Sequence, residues 1–366
     1  MKPLKVLMVV PNLRVANGVA SFAMNYFRDL DQSKIHVDFA LYADRSSPYY
    51  DEIRMRGSDI YILPKVSDIR KHLKKCNEIL STKKYDIVHD NTLHISIPMM
   101  WCAKQAGVPV RILHAHSSKL SGTRFKELRN QLLVPFLCSL ATHYVACSGA
   151  AGKVLFGNRR FDIIPNVIPV SKYKYNQERR NAVRTSMNAE SKFVVGSVGR
   201  LAVEKNPYFA VDVIKKLHEE MPDIEYWWIG SGDLDNQVKE YVESCGALSY
   251  IKLLGSRNDV ADLYQAMDVF LLTSFFEGMP LTCIEAQAMG LPMIVSDTIT
   301  TEMLYTDLVD YLNLSEPVEV WVEHLKKAVQ KKRDREQYAE YLKRSRFSDV
   351  GCGNRLERIY RQFMDT

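Results

Sequence analysis

Residues 277–297 read Glu277-Gly-Met-Pro-Leu-Thr-Cys-Ile-Glu285-Ala-Gln-Ala-Met-Gly-Leu-Pro-Met-Ile-Val-Ser-Asp297. One carboxylate sits in a glycine-proline loop, and a second follows eight positions later inside an apolar helical pattern. Gly290, a proline and a buried-strand run close the segment. The reading is loop, helix, strand, with both carboxylates able to face one cleft. Carboxylates only accept hydrogen bonds, which suits a ligand's hydroxyls. The free N–H groups of the helix start lie between them and attract an anion. Hydroxyls and phosphate together describe a nucleotide sugar.

Strands and helices alternate outward from this segment. In the first half, strands are predicted at 4–10, 37–42, 60–63, 87–89, 110–114, 144–147 and 162–164. Helices are predicted at 18–29, 51–57, 68–82, 96–106 and 124–141. The polar stretch 171–190 breaks the rhythm and reads as a linker. Beyond it, strands are predicted at 193–198, 225–229, 250–254, 269–273 and 293–296. Helices are predicted at 207–221, 234–244, 260–267 and 281–290, with Pro207 fitting a first turn. The tail from Val318 is helical and charged. The fold class is α/β, with two doubly wound, Rossmann-like domains of parallel strands. The domains are 1–170, a linker at 171–190, and 191–349.

A second segment, Gly199-Arg200-Leu201-Ala-Val-Glu204-Lys205-Asn206-Pro207, lies just after a strand, where open α/β sheets bind ligands. With Glu277 and Glu285 it resembles the retaining glycosyltransferases of the GT-B fold, glycosyl-transferase group 1 (family 4). The resemblance is clear over residues 190–300 and continuous, though weaker, over the N-terminal half. It implies an active cleft between the two domains and a last helix, about 350–366, that packs back on the first. Leu356, Ile359, Tyr360 and Phe363 offer one apolar face for that. It also implies that Arg200 and Lys205 grip the donor diphosphate, and that Glu285 accepts from the ribose hydroxyls. Glu277 would sit at the donor sugar. Gly278, Met279 and Leu281 would offer backbone groups, and Pro280 would set the turn. A histidine near Leu113-His114-Ala115-His116-Ser117-Ser118 would contact the sugar: His116, with His114 the rival by register. Gly18, at the start of the first helix, would admit the donor phosphate to the backbone. The family often has a Gly-Gly pair there; this chain has Asn17-Gly18. His89 and Asp90 would line the acceptor side. Ser148 and Asn166 would fall in loops at the cleft. The resemblance implies no bound metal and no cofactor beyond the UDP- or GDP-linked donor.

Composition narrows the remaining classes. The chain has 366 residues, more than one core usually holds, with 46% hydrophobic and 25% charged residues. No apolar run reaches the ~20 residues of a membrane span. The seven cysteines show no paired spacing and read as reduced core residues of a cytoplasmic protein. Neither a phosphate-binding Gly-Lys-Ser/Thr loop nor the Gly-x-Gly-x-x-Gly dinucleotide fingerprint is present. A nicotinamide-dependent oxidoreductase is therefore disfavoured.

Charge is uneven. Residues 1–170 hold 24 Lys and Arg against 13 Asp and Glu, while the rest hold 25 against 30. A basic first half points to an anionic partner. The stretch from Thr123 is basic at Arg124, Lys126 and Arg129 and apolar afterwards, which suits an anionic membrane surface. A nucleic-acid binder would account for the charge but not for the paired carboxylates. With the basic first half, the resemblance implies a retaining glycosyltransferase acting on a lipid-linked glycan acceptor at the inner face of the plasma membrane, in bacterial surface polysaccharide synthesis. The alternative is a non-catalytic, glycosyltransferase-like partner subunit.

Overall fold

The computed structural model describes residues 2–15, 17–44, 47–117, 124–330 and 334–366. Of residues 94, 124–127, 329 and 330 it describes the backbone only. The chain forms two units, Met1–Val167 with Asp349–Thr366, and Ile168–Ser348.

The first unit runs β1 (Leu4–Val10), α1 (Gly18–Asp29), β2 (Ile35–Leu41), α2 (Tyr49–Met55), β3 (Ile60–Ile62), α3 (Ile69–Lys83) and β4 (Ile87–Asp90). It continues through α4 (Ile97–Gln105), β5 (Val110–Ala115), α5 (Arg124–Leu140), β6 (His143–Ala146), α6 (Gly149–Phe156) and β7 (Asp162–Ile163). The seven strands pair in parallel in the order β3-β2-β1-β4-β5-β6-β7. The apolar runs of β1 and β2 are buried because helices cover both faces of a parallel sheet. The order reverses between β1 and β4, so their carboxyl ends form a switch point.

The second unit runs α7 (Gln177–Ser186), β8 (Phe193–Val198), α8 (Pro207–Glu220), β9 (Ile224–Ile229), α9 (Asp235–Ser244), β10 (Ile251–Leu253), α10 (Val260–Ala266) and β11 (Val269–Leu272). Then come α11 (Leu281–Ala288), β12 (Met293–Ser296), β13 (Val309–Leu312), α12 (Val318–Gln330) and α13 (Tyr338–Arg344). Its parallel order is β10-β9-β8-β11-β12-β13, with the switch point between β8 and β11.

The last helix, α14 (Cys352–Met364), belongs to the first unit. Cys352, Leu356, Tyr360 and Phe363 recur at helical spacing and enter the core that holds Phe22, Tyr26 and Phe27 of α1. Gly353 lets the two helices meet: a Cβ there would lie 2.3 Å from the Asp29 carbonyl oxygen. Its amide donates to Asp29 Oδ2 at 2.8 Å.

The stretch 171–190, expected as a linker, is instead built into the second unit. Asn176 caps α7 through the Arg179 amide. Arg180 and Arg184 both reach Asp268, at 2.5 and 3.2 Å. Asp268 Oδ2 also accepts from the Val194 amide at 2.8 Å. The arginines that made this helix look solvated hold it onto β8 and the end of α10. Helix α6 and strand β13 were not predicted. Two glycines and a small-residue run obscure α6, and a short, half-polar sequence obscures β13.

Removing Asp268 would leave two largely buried guanidinium groups without a counter-charge. Asp268→Ala should therefore lower the stability of the second unit by about 3 kcal/mol, read as a fall in urea midpoint.

Candidate functional site

In the second unit, Lys205 and Glu277 come together at the carboxyl ends of β8 and β11. The Lys205 ammonium pairs with the Glu277 carboxylate, and both side chains are largely buried. Ser274 Oγ donates to Glu277 Oε1 at 2.9 Å. The loop carrying Lys205 is fixed to the other turn. Thr273 Oγ1 donates to the Lys205 and Asn206 carbonyls at 3.2 and 3.1 Å, and the Phe275 amide donates to the Glu204 carbonyl at 2.8 Å. Asn206 takes a left-handed conformation, φ 52°, that turns the chain into α8. Gly230, φ 132°, makes the approach possible from the other side. A Cβ there would lie 2.2 Å from the Gly199 carbonyl oxygen and displace the Arg200 loop. Arg200 itself is exposed and pairs with Glu204 four residues on.

Glu285 lies in the second turn of α11. Its Oε1 accepts from the Tyr173 hydroxyl at 2.6 Å and its Oε2 from Tyr264 at 3.1 Å. Burial raises its pKa, an effect the two phenol hydrogen bonds oppose. Neither tyrosine was singled out in sequence. Tyr173 lies within the stretch read as a linker, and Tyr264 reads as one apolar position of α10. Pro280 is the N-cap of α11, and no side chain caps that helix. Among the described residues, Thr282 Oγ1 in its first turn is buried with no hydrogen-bond partner. Met279 is 5% exposed, so its side chain is buried. Gly278 and Leu281 flank it in the same turn.

In the first unit, three histidines meet where β4 and β5 end. His89 and His114 are fully buried, and His116 is half-buried. His89 bonds Tyr360 of α14 through Nδ1 at 2.7 Å and His114 through Nε2 at 3.0 Å. The His114 and His116 rings stack at 3.9 Å between centroids. Burial drives His89 and His116 down to about 3 and lowers His114 as well, so all three are neutral at pH 7. Asp90 is also fully buried, accepting from the Thr92 amide and hydroxyl and from Ser96 Oγ. The expectation that His89 and Asp90 line an acceptor surface is corrected: both are interior groups. Burial pushes the Asp90 carboxyl up to about 6.

Other expected positions have local roles. Asn17 caps α1, its Oδ1 accepting from the Val19 and Ala20 amides at 2.9 and 3.1 Å, so part of the N-terminal donor set beside Gly18 is already used. Ser148 caps α6 through the Ala151 amide. Asn166 is buried. Ser118 and Thr123 lie outside the described residues, as do the side chains of Arg124 and Lys126.

Two Rossmann-like units of parallel strands are the architecture of the GT-B glycosyltransferases. The family description "Glycosyl transferases group 1" matches residues 178–345, and "Glycosyltransferase Family 4" matches residues 16–172. The putative glycosyltransferase EpsF of Bacillus subtilis is 30% identical over 85% of this chain and 84% of its own. The Escherichia coli UDP-Gal:alpha-D-GlcNAc-diphosphoundecaprenol alpha-1,3-galactosyltransferase is 30% identical over 62% of each chain. Anabaena HepE, solved in complex with UDP-glucose, shares the fold at a TM-score of 0.80 and 18% identity, over 98% of this chain and all of its own. The chain belongs to the group 1, family 4 glycosyltransferases.

The buried Asp90 should be visible in the pH dependence of stability. Between about pH 4 and 6 the folded chain holds this proton and the unfolded chain has lost it, so the contribution of Asp90 declines as pH rises through that window. Asp90→Asn cannot ionise. From pH 4.5 to 6.5 the parent should lose stability relative to this variant by on the order of 2 kcal/mol, measured by urea denaturation.

Proposed function

We propose that this glycosyltransferase moves a sugar, with retention at the anomeric carbon, from a nucleoside diphosphate to a glycan on a lipid carrier. The step would serve bacterial surface polysaccharide assembly. The observation that carries the donor reading is the Lys205–Glu277 pair beside the uncapped start of α11. A cation and the start of a helix that no side chain caps lie on neighbouring turns there, which suits a diphosphate. UDP is the first base to test, because the E. coli relative is named for UDP-Gal and HepE was solved with UDP-glucose. The lipid carrier follows from the same relative's diphosphoundecaprenol acceptor.

In this reading the bond from the anomeric carbon to the phosphate oxygen breaks as the bond to the acceptor oxygen forms on the same face. The acceptor's proton passes to the departing phosphate. Lys205, with Arg200 swung away from Glu204, stabilises charge that grows as the bond breaks. The reading assigns this work to the two cations and to the helix N–H groups, without a metal ion or other cofactor. Glu277, released from Lys205 by the incoming diphosphate, orients the sugar together with His116. Glu285, held by two tyrosines, accepts from the ribose.

A membrane face supports the lipid-linked acceptor. Leu128, Leu132 and Phe136 stand at successive turns of α5 and are 59, 73 and 45% exposed. Trp101 of α4 stacks beside Phe136. An exposed helix face built this way is unusual in water. The neighbouring α3 carries Arg70, Lys71, Lys74, Lys75 and Lys83; Lys71, Lys75 and Lys83 pair with Asp68, Glu78 and Asp38, which leaves a modest basic excess. Apolar anchors beside excess positive charge suit an anionic bilayer surface. Among the described residues, no helix is long and apolar enough to cross a membrane.

Calorimetric titration with UDP, GDP and ADP should show one nucleotide binding, with affinity reduced at least tenfold in Lys205→Ala. A folded protein that binds none of them would favour a non-catalytic partner subunit. In co-sedimentation, vesicles rich in phosphatidylglycerol should retain the parent, while phosphatidylcholine vesicles should not. Leu128→Asp with Leu132→Asp should release it; retention by the double variant would remove this face from the account.

A further inference from the structure

Asn91 follows directly on β4 and has a single way of pointing its amide. Its Nδ2 faces the Val9 carbonyl at 3.1 Å, the His89 carbonyl at 3.2 Å and Met8 Sδ at 3.1 Å. Carbonyl oxygens and a thioether are acceptors only, so the NH2 must lie on that side. A flipped amide would set its oxygen against two carbonyls in a buried site. The amide oxygen therefore faces outward, and it lies 2.8 Å from His116 Nε2. An amide oxygen can only accept, so Nε2 must carry the proton. His116 is neutral, because its packing against Phe22 and His114 disfavours the imidazolium. A neutral imidazole carries one proton. The other ring nitrogen, Nδ1, is left as a bare lone pair, and among the described residues nothing bonds to it.

We infer that Asn91 is a positioning residue that holds His116 in the Nε2–H tautomer, so that His116 meets its ligand as a hydrogen-bond acceptor at Nδ1. The consequence is chemical selection. Nδ1 accepts from a hydroxyl and repels a phosphate or carbonyl oxygen, so His116 reads a sugar hydroxyl rather than the diphosphate. Behind His116, the Tyr360 hydroxyl bonds His89 Nδ1, and His89 Nε2 bonds His114 Nδ1. The titratable groups nearest His116 are His114 of β5, stacked on it, and His89 of β4, with Tyr360 of α14 behind His89; all are uncharged at pH 7. The Nε2 proton follows from the geometry and the bare Nδ1 from the neutrality of the ring; the identity of the hydroxyl rests on the donor-sugar reading above.

Protein labelled with 15N in histidine tests the two parts separately. The His116 ring signals are assigned by their loss in His116→Gln. At pH 7 the parent should show a protonated Nε2 and an unprotonated Nδ1. Asn91→Asp, which puts a carboxylate against Nε2, should make His116 titrate at a higher pH than in the parent. A protonated Nδ1 in the parent, or a His116 titration unmoved in Asn91→Asp, would overturn the inference. Calorimetry with UDP-glucose and UDP then reads the sugar contact. Asn91→Leu should weaken UDP-glucose at least fivefold and leave UDP unchanged. Equal weakening of both would assign Asn91 a merely structural role. A parent that binds neither nucleotide would defeat the donor reading and leave the tautomer result standing.

Discussion

The site turns on one lysine and one glutamate that belong to different β–α turns. Lys205 follows β8 and Glu277 follows β11, and these strands are neighbours only because the sheet order reverses there. A buried ion pair is a poor source of stability, since the desolvation of two charges offsets most of their attraction. It is an effective way to keep a cation and a carboxylate fixed, dry and available. A diphosphate can replace the carboxylate at the lysine, which frees the carboxylate for a hydroxyl. The Thr273 bonds to the Lys205 loop, the left-handed Asn206 and the close approach at Gly230 all hold the two turns at this separation.

The first unit works by the opposite means. Its switch point gathers neutral polar groups, three histidines, an asparagine and a tyrosine, beside a buried carboxyl that burial pushes up to about 6. Such groups select among hydroxyls by the direction of their hydrogen bonds. The charged pair of the second unit and the neutral groups of the first are thus two different kinds of polar chemistry. Tyr360 brings the C-terminal helix into that network, so α14 shapes the chemistry of the site as well as filling the core.

The fold was legible where burial writes itself into composition. Both sheets announced themselves as apolar runs, and α1, α8 and α11 as helical stripes. Helix α6 and strand β13 escaped through their own glycines and polar residues, and α7 because it is held by long-range polar bonds. Helix α7 looked like linker because Arg180 and Arg184 find their carboxylate more than eighty residues away. At the site, Glu277, Glu285, Arg200 and Lys205 stood out by spacing and by resemblance. Tyr173, Tyr264, Ser274 and Asn91 did not, because their roles depend on which backbone turn they face. Asn91 had no signal at all beyond following a strand, and its importance lies in two carbonyls that fix its amide.

The most direct test is a structure of the chain with UDP-glucose bound. The account predicts Lys205 Nζ on the diphosphate, Glu277 turned to the glucose hydroxyls, and His116 Nδ1 within hydrogen-bond distance of a hydroxyl. A complex in which the Lys205–Glu277 pair stays closed and the diphosphate lies elsewhere would contradict it.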